Sequence, residues 1–273
     1  MKLYTILFSD DSGEDFKEIF CESLAEPGHV FFDVHLSGGM AIAGLAALGN
    51  TIQYSLLLVD IMTRSFRAID LPSEGKKNIQ FKLYRDCVFM LALIDNETKL
   101  QIIQYDFDGH ALAEYYISRK PVEYHVSVEP TTHCSNAFPV VLQHTSDRNT
   151  LGNRSISVYM VPLAPTAHDN SPKNLEQVYT FPITRGRSPD LLCVGETGSR
   201  MVWLERGWEA DEYQFMKAAF GPRVGERPIV APLWPAHAGL PFETHTCHAL
   251  YLEECTGRIC FALHTEKLYI MEF

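Results

Sequence analysis

No run of eighteen apolar residues occurs in the 273-residue chain, so no membrane-spanning helix is expected. The opening MKLYTILFSDD lacks a long apolar stretch followed by a small-residue cleavage pattern, and no signal peptide is expected. Seven cysteines stand at 21, 87, 134, 193, 247, 255 and 260, with no C-x-x-C among them. An odd count at irregular spacing argues against a disulfide framework and for reduced, scattered thiols. A G-x-G-x-x-G run is missing. Gly38-Gly39 alone is no phosphate-binding fingerprint, which removes the dinucleotide signature. GETGS at 195–199 is not G-x-S-x-G, so no nucleophile elbow is present. Positive charge is scarce: 23 Lys and Arg face 34 Asp and Glu, a formal net charge of −11. That balance argues against a nucleic-acid backbone as the main ligand, and it equally suits a plain solvated surface. Tryptophan occurs only at 203, 208 and 234, too sparsely for a full ring of carbohydrate sites. Long amphipathic helical stretches between the apolar runs are also missing, which disfavours a βαβ fold.

What is present is a succession of short β-prone runs. The last stretch, HALYLEECTGRICFALHTEKLYIMEF (248–273), holds three of them. Gly257 falls where a tight hairpin needs a residue that tolerates positive φ. Ile259, Phe261 and Leu263 alternate with Cys260, Ala262 and His264, as in a sheet buried mostly on one face. The same strand–turn–strand unit recurs upstream. Tyr54–Ile61 and Phe66–Leu71 make one hairpin, and Cys87–Ile94 and Leu100–Tyr105 flank DNET at 95–98. Strands are also expected over 124–128, 139–143, 155–163, 178–183, 191–196 and 201–205. Hairpin turns near 63, 96, 148, 198 and 256 are about 33 to 58 residues apart, bracketing a propeller blade. The expected fold is therefore all-β: one β-propeller domain over 1–273, of five to seven blades and most simply six. Pairing of 3–8 with 267–273 is expected to close it. A β-sandwich is the competing fold.

The first 53 residues diverge from the repeat. Residues 10–26 carry Phe16, Ile19, Phe20 and Leu24 at roughly helical spacing and read as a loop or short helix. The segment SGGMAIAGLAALGN, 37–50, has the alanine content of a short helix, or serves as a buried or ligand-lining apolar loop.

Two stretches carry a family resemblance. YLEECTGRICFALHTEKLYIMEF at the end resembles the final blade of the F-box-associated β-propeller proteins of mushroom-forming fungi. LLCVGETGSRMVWLER (191–206) resembles a blade of the same group, in Gly195, Gly198, Arg200, Trp203 and Glu205. The resemblance covers residues 54–273 and implies a propeller that recognises a partner. No F-box helix bundle with its Leu-Pro start precedes the blades, so attachment to a ubiquitin-ligase scaffold is not expected.

Arg200 and Trp203, with Glu196 and Glu205, stand on or beside one hairpin. Trp203 packs between blades with Arg200 tied to an acid, or the pair offers a ligand an apolar wall and an anion clamp. His245, Cys247 and His248 form H-T-C-H with His237 upstream, yet lack a matching distal pair for zinc. His110, His125, His133 and Cys134 form a weaker group, and no metal or other cofactor is expected. The candidate ligand-binding residues are thus Arg200, Trp203, Glu196, His245 and His248, joined by the apolar stretch 38–49. The expected function is a cytoplasmic or nuclear recognition module that binds a protein or small molecule through the propeller face. Two readings stand beside it. One is a metal-independent cyclase or isomerase of fungal secondary metabolism that encloses an apolar substrate. The other is a lectin.

Overall fold

The computed structural model describes residues 2–8, 14–21, 29–37, 39–48, 52–72, 74–84, 87–119, 123–126, 136–146, 153–163, 171–184, 186–195, 197–207, 213–219, 228–235 and 239–272. They fall into two compact units, 1–96 with 101–114, and 97–100 with 115–273. Among the described residues all the regular structure is β except one 3₁₀ turn, Thr244–Thr246.

Strand β1 (Lys2–Phe8) pairs antiparallel with β2 (Glu14–Cys21) in a two-stranded sheet. A four-stranded meander follows: β3 (His29–Ser37), β4 (Met40–Ala47), β5 (Gln53–Asp60) and β6 (Ser65–Asp70). The next meander is β7 (Lys77–Tyr84), β8 (Cys87–Ile94), β9 (Lys99–Tyr105) and β10 (Ala111–Ile117). Strands β11 (Glu123–Val126), β12 (Ala137–Ser146) and β13 (Asn153–Pro162) begin a further sheet. The chain then gives β14 (Lys173–Asn174) as a parallel addition to β10, before β15 (Gln177–Pro182) completes the sheet begun by β11. Strands β16 (Ser188–Val194), β17 (Arg200–Arg206), β18 (Tyr213–Ala219) and β19 (Ile229–Pro232) form the next sheet. Strands β20 (Cys247–Glu253), β21 (Arg258–Leu263) and β22 (Leu268–Glu272) form the last.

Among the described residues, five sheets of three strands or more, in chain order, agree with the expected run of meanders. The expected pairing of β1 with β22 is not among the pairings of the described residues, where β1 lies on β2.

Two expectations in the first part are corrected. Residues 40–47 form a strand, neither helix nor loop. Alanine favours a helix only weakly, and here the sheet context overrides it. Lying between β3 and β5, β4 puts Ile42 into one core cluster and Ala41 and Ala43 into another. Residues 14–21 are likewise a strand, because β1 offers a pairing edge that a helix cannot use. The rest of 10–26 lies outside the described residues.

Apolar runs behave as their patterns imply. The continuous run of β8 is buried on both faces, every residue but Ile94 being buried. Leu56, Leu58, Phe81, Leu83, Val88 and Met90 share one cluster between the first two meanders. The first strands of four sheets also share an irregularity. Extra residues interrupt the register of β3 between Phe32 and His35, and of β7 between Lys77 and Gln80. The same happens in β16 between Asp190 and Cys193, and in β20 between Cys247 and Ala249. Three of these bulges hold a left-handed residue: Asp33 (φ 51°), Asn78 (φ 49°) and Leu191 (φ 50°). A β-bulge sharpens the local twist of the strand that carries it.

Gly257 has φ 71° in the turn between β20 and β21, as its place in ECTGR implies. Gly257→Val is expected to cost about 1–3 kcal/mol, because a β-branched residue does not tolerate this conformation. The urea midpoint of the variant checks it, and an unchanged midpoint contradicts it.

At the β3 bulge, the Asp33 carboxylate meets His35 Nε2 at 2.8 Å and also accepts the Phe81 N–H of β7. Burial alone pushes this carboxyl up, but the His35 hydrogen bond, the Phe81 N–H and the charges of His35 and Lys82 hold it below the usual carboxylate value. A carboxyl depressed in the folded state stabilises fully above its unfolded pKa, and that stability is lost as pH falls through the folded value. The protein is therefore expected to lose stability below about pH 4, and Asp33→Asn to flatten that acid limb. Melting temperatures between about pH 3 and pH 6 measure it. Parallel profiles for the two proteins contradict the assignment.

Candidate functional site

Sheet β16–β19 carries the site. Its strands pair so that Arg200 faces Ala219, and Ala219 faces Ile229. One step along, Val202 faces Lys217, and Lys217 faces Ala231. Side chains directly across a sheet share a face. These six therefore form two adjacent rows on one face of β17, β18 and β19. Alternation sends Met201, Trp203 and Ala218 to the other face, into a core cluster with Val158, Tyr179 and Phe181. Val202, Leu204 and Phe215 belong to a second cluster with Cys247, Leu252 and Phe261.

The two rows enclose a hollow of about 320 Å³. It exists because Ala219 and Ala231 are too small to fill the space between longer neighbours. Val202 gives it a buried apolar floor, while Arg200 and Ile229 are exposed at its rim. Lys217 supplies a second cation. Among the described residues no carboxylate lies within ion-pair distance of Arg200. Two cations over an apolar floor suit an anionic group attached to an apolar body.

The turn before β17 fixes the start of that strand, and hence Arg200. Gly195 N donates to Arg200 O at 2.9 Å, and Gly198 N donates to Gly195 O at 3.0 Å. Into this turn projects Glu254, a buried residue from the β20–β21 turn. Its Oε2 accepts the Thr197 N–H at 2.9 Å, and its Oε1 accepts the Ser199 hydroxyl. The acidic residue that opens ECTGR is thus seated in the GETGS turn of the preceding sheet.

Of the residues expected from sequence, Arg200 lines the hollow. Trp203 does not and is corrected to a core residue: it is 0% exposed, and Nε1 donates to the buried Glu205 Oε1 at 3.4 Å. It has no surface to offer a ligand. Glu196 and His237 lie outside the described residues, as do His133 and Cys134. His245, exposed on the 3₁₀ turn, pairs with Glu243 at 3.3 Å. His248 stacks on His264, with ring centroids 4.7 Å apart. Neither histidine lines the hollow with Arg200. Cys247 is buried, and that burial pushes its thiol up to about 11. The H-T-C-H run is thus split between core and surface.

Asp106, Asp108 and His110 come together on the β9–β10 turn. The turn's own bonding explains them. Asp106 Oδ1 accepts the N–H groups of Asp108 and His110, each at 2.8 Å, and Asp108 pairs with Arg67 at 2.7 Å. Lys217, Ala219, Ile229 and Ala231 were not expected, since only strand register brings them beside Arg200.

No family model and no curated protein matches the sequence. Solved structures do. A chain in the complex of KlAtg21 with the coiled coil of AgAtg16 is 13% identical, with a TM-score of 0.58 over 94% of this chain and 72% of that one. A prolyl endopeptidase is 9% identical, with a TM-score of 0.51 over 90% of this chain and 34% of that one. This chain thus spans about a third of that peptidase's length. The β-propeller domain of the Trilobed protease from Pyrococcus furiosus is 10% identical, with a TM-score of 0.41 over 89% and 82% of the two chains. At such identities the likeness concerns fold alone. The chain is all-β and of the β-propeller class.

Proposed function

We propose that this protein is a recognition module that binds an anionic, partly apolar ligand at the Arg200–Lys217 hollow. One observation carries the reading: two cations share one face with a buried apolar floor, in a chain whose net charge is −11. Against that acidic background a local pair of cations attracts and orients an anionic partner. A protein is the favoured ligand. The similar KlAtg21 is described in complex with a coiled coil, so this fold serves protein recognition there. Membership of the F-box-associated propeller group belongs to the same proposal, as does closure of the fold by its terminal strands. A reducing compartment such as the cytoplasm suits Cys87, Cys193, Cys247, Cys255 and Cys260, which carry free thiols. An enzyme enclosing an apolar substrate gains no support from 40–47, whose buried residues fill the core of a sheet.

The test is charge reversal. Arg200→Glu with Lys217→Glu is expected to weaken a ligand selected against the wild-type protein by about a hundredfold, with the melting temperature little changed. Calorimetric titration measures it. Equal affinity in the reversed variant removes the hollow from the function.

A further inference from the structure

We infer that the ligand of the hollow is an extended, glutamate-rich peptide that adds as a strand to the free edge of β19; this rests on the reading just given. Strand β19 is outermost in the order β16-β17-β18-β19, and among the described residues nothing pairs with its far side. Its bonding leaves that side open in a definite pattern. Leu233 N donates to Phe215 O at 2.8 Å, which fixes the parity of the β18–β19 ladder. Bonded pairs recur every second residue in an antiparallel ladder. Ala231 with Lys217 and Ile229 with Ala219 are therefore the bonded pairs. The Val230 N–H and C=O and the Pro232 C=O point away from β18. One donor and two acceptors are enough for a short strand, and proline at this position costs the edge no needed donor.

The apolar side chains of this edge are also uncovered. Ile229 is 72% exposed and Val230 41%. They lie on opposite faces of the strand, so an added strand gains apolar contact on both.

The molecule itself shows the mode of addition. Two residues of β14 join the outer edge of β10, Lys173 opposite Tyr115 and Asn174 opposite Tyr116. Leu175 N then donates to Tyr116 O at 2.8 Å, and Ser118 Oγ donates to Asn174 Oδ1 at 2.9 Å. A passing segment thus needs only a few backbone bonds and a side-chain contact to be held there.

Charge selects the occupant. A strand beside β19 lies two strand spacings from β18, about 10 Å. Side chains of the added strand that face the hollow must cross Ala231 to reach Lys217. Glutamate has the length for this and aspartate falls short. Arg200, one strand further in, reaches back across Ala219 toward the same acids. The expected ligand therefore alternates glutamate, facing the hollow, with apolar residues on the face of Val230.

Short random peptides displayed as a library and selected on the full chain test this. Enrichment of alternating glutamate and apolar residues is expected. An N-methyl scan of one selected peptide should then lose affinity about tenfold or more at every second residue, since only alternate N–H groups face β19. Val230→Pro should show a loss of similar size, because it removes the outward donor and leaves the cations in place. Selected acidic peptides that are weakened by Lys217→Glu but indifferent to N-methylation and to Val230→Pro would overturn strand addition and leave the hollow standing. Selection of peptides without acidic residues, or of none, would overturn both. The scan uses unaltered protein, so a Val230→Pro variant that fails to fold does not decide the outcome.

Discussion

Trp203→Ala is expected to destabilise the protein by about 3–5 kcal/mol, the range for deleting a large aromatic side chain from a packed core. Trp203 is 0% exposed and sits in a cluster that joins β17 to residues of β12, β13, β15 and β16. Truncation leaves a cavity lined by Val158, Tyr179, Phe181 and Met201, all held in rigid strands that cannot collapse into it. It also removes the Nε1–H that faces Glu205. That carboxylate is buried: its Oε1 loses this donor, while its Oε2 faces only Arg187, at 3.9 Å. Trp203→Phe keeps most of the volume and removes only the donor, so about 1–3 kcal/mol is expected for it. Urea midpoints of the two variants measure the difference. A loss below about 1 kcal/mol for alanine would show that the indole is not a core element. Ligand affinity of either variant, measured where it is folded, should stay near the parent's, because Trp203 faces away from the hollow.

Gly195→Ala is expected to cost about 2–4 kcal/mol, more than a methyl group ordinarily does in a turn. A Cβ built there would collide with Glu254 Oε2, and would stand 2.8 Å from its Cδ and 2.9 Å from its Cβ. No side-chain rotation clears the last of these, so the two turns must part. The carboxylate then leaves the Thr197 N–H and the Ser199 hydroxyl it holds in the socket. A charged acceptor lost from two half-buried donors costs more than a neutral one. Glu254→Ala should cost about 1.5–3 kcal/mol for the same bonds but relieve the crowding. The double variant should therefore be less destabilised than the sum of the singles, a coupling that a double-mutant cycle reads directly. Additive effects would mean that Gly195 and Glu254 are independent. Because Gly195 N also bonds Arg200 O, Gly195→Ala should weaken ligand binding, whereas Trp203→Ala should not.

The parts of the fold legible in the sequence are those set by local pattern. The apolar run of β8, the alternation of β21 and the turn glycine at 257 each follow from spacing within a few residues. Residues 40–47 misled because alanine and glycine carry little β preference of their own. Their strand is imposed by neighbours on both sides. Arg200 was legible as a cation beside a turn. Trp203 looked equally available, since nothing local tells which face of β17 meets the core. The hollow could not be seen in advance. It depends on register across three strands, which places Lys217 and Ala231 beside Val202. The Glu254 socket joins residues 57 positions apart, and only packing of two sheets brings them together.

Hydrogen exchange of the backbone amides, with and without a selected glutamate-rich peptide, tests the central claim most directly. Slowed exchange is expected at the Val230 N–H and along 200–202 and 217–219, with little change at 245–248. Protection confined to the histidine-bearing segment 245–248, with 200–202, 217–219 and Val230 exchanging as in the free protein, would contradict a ligand site at the Arg200–Lys217 hollow.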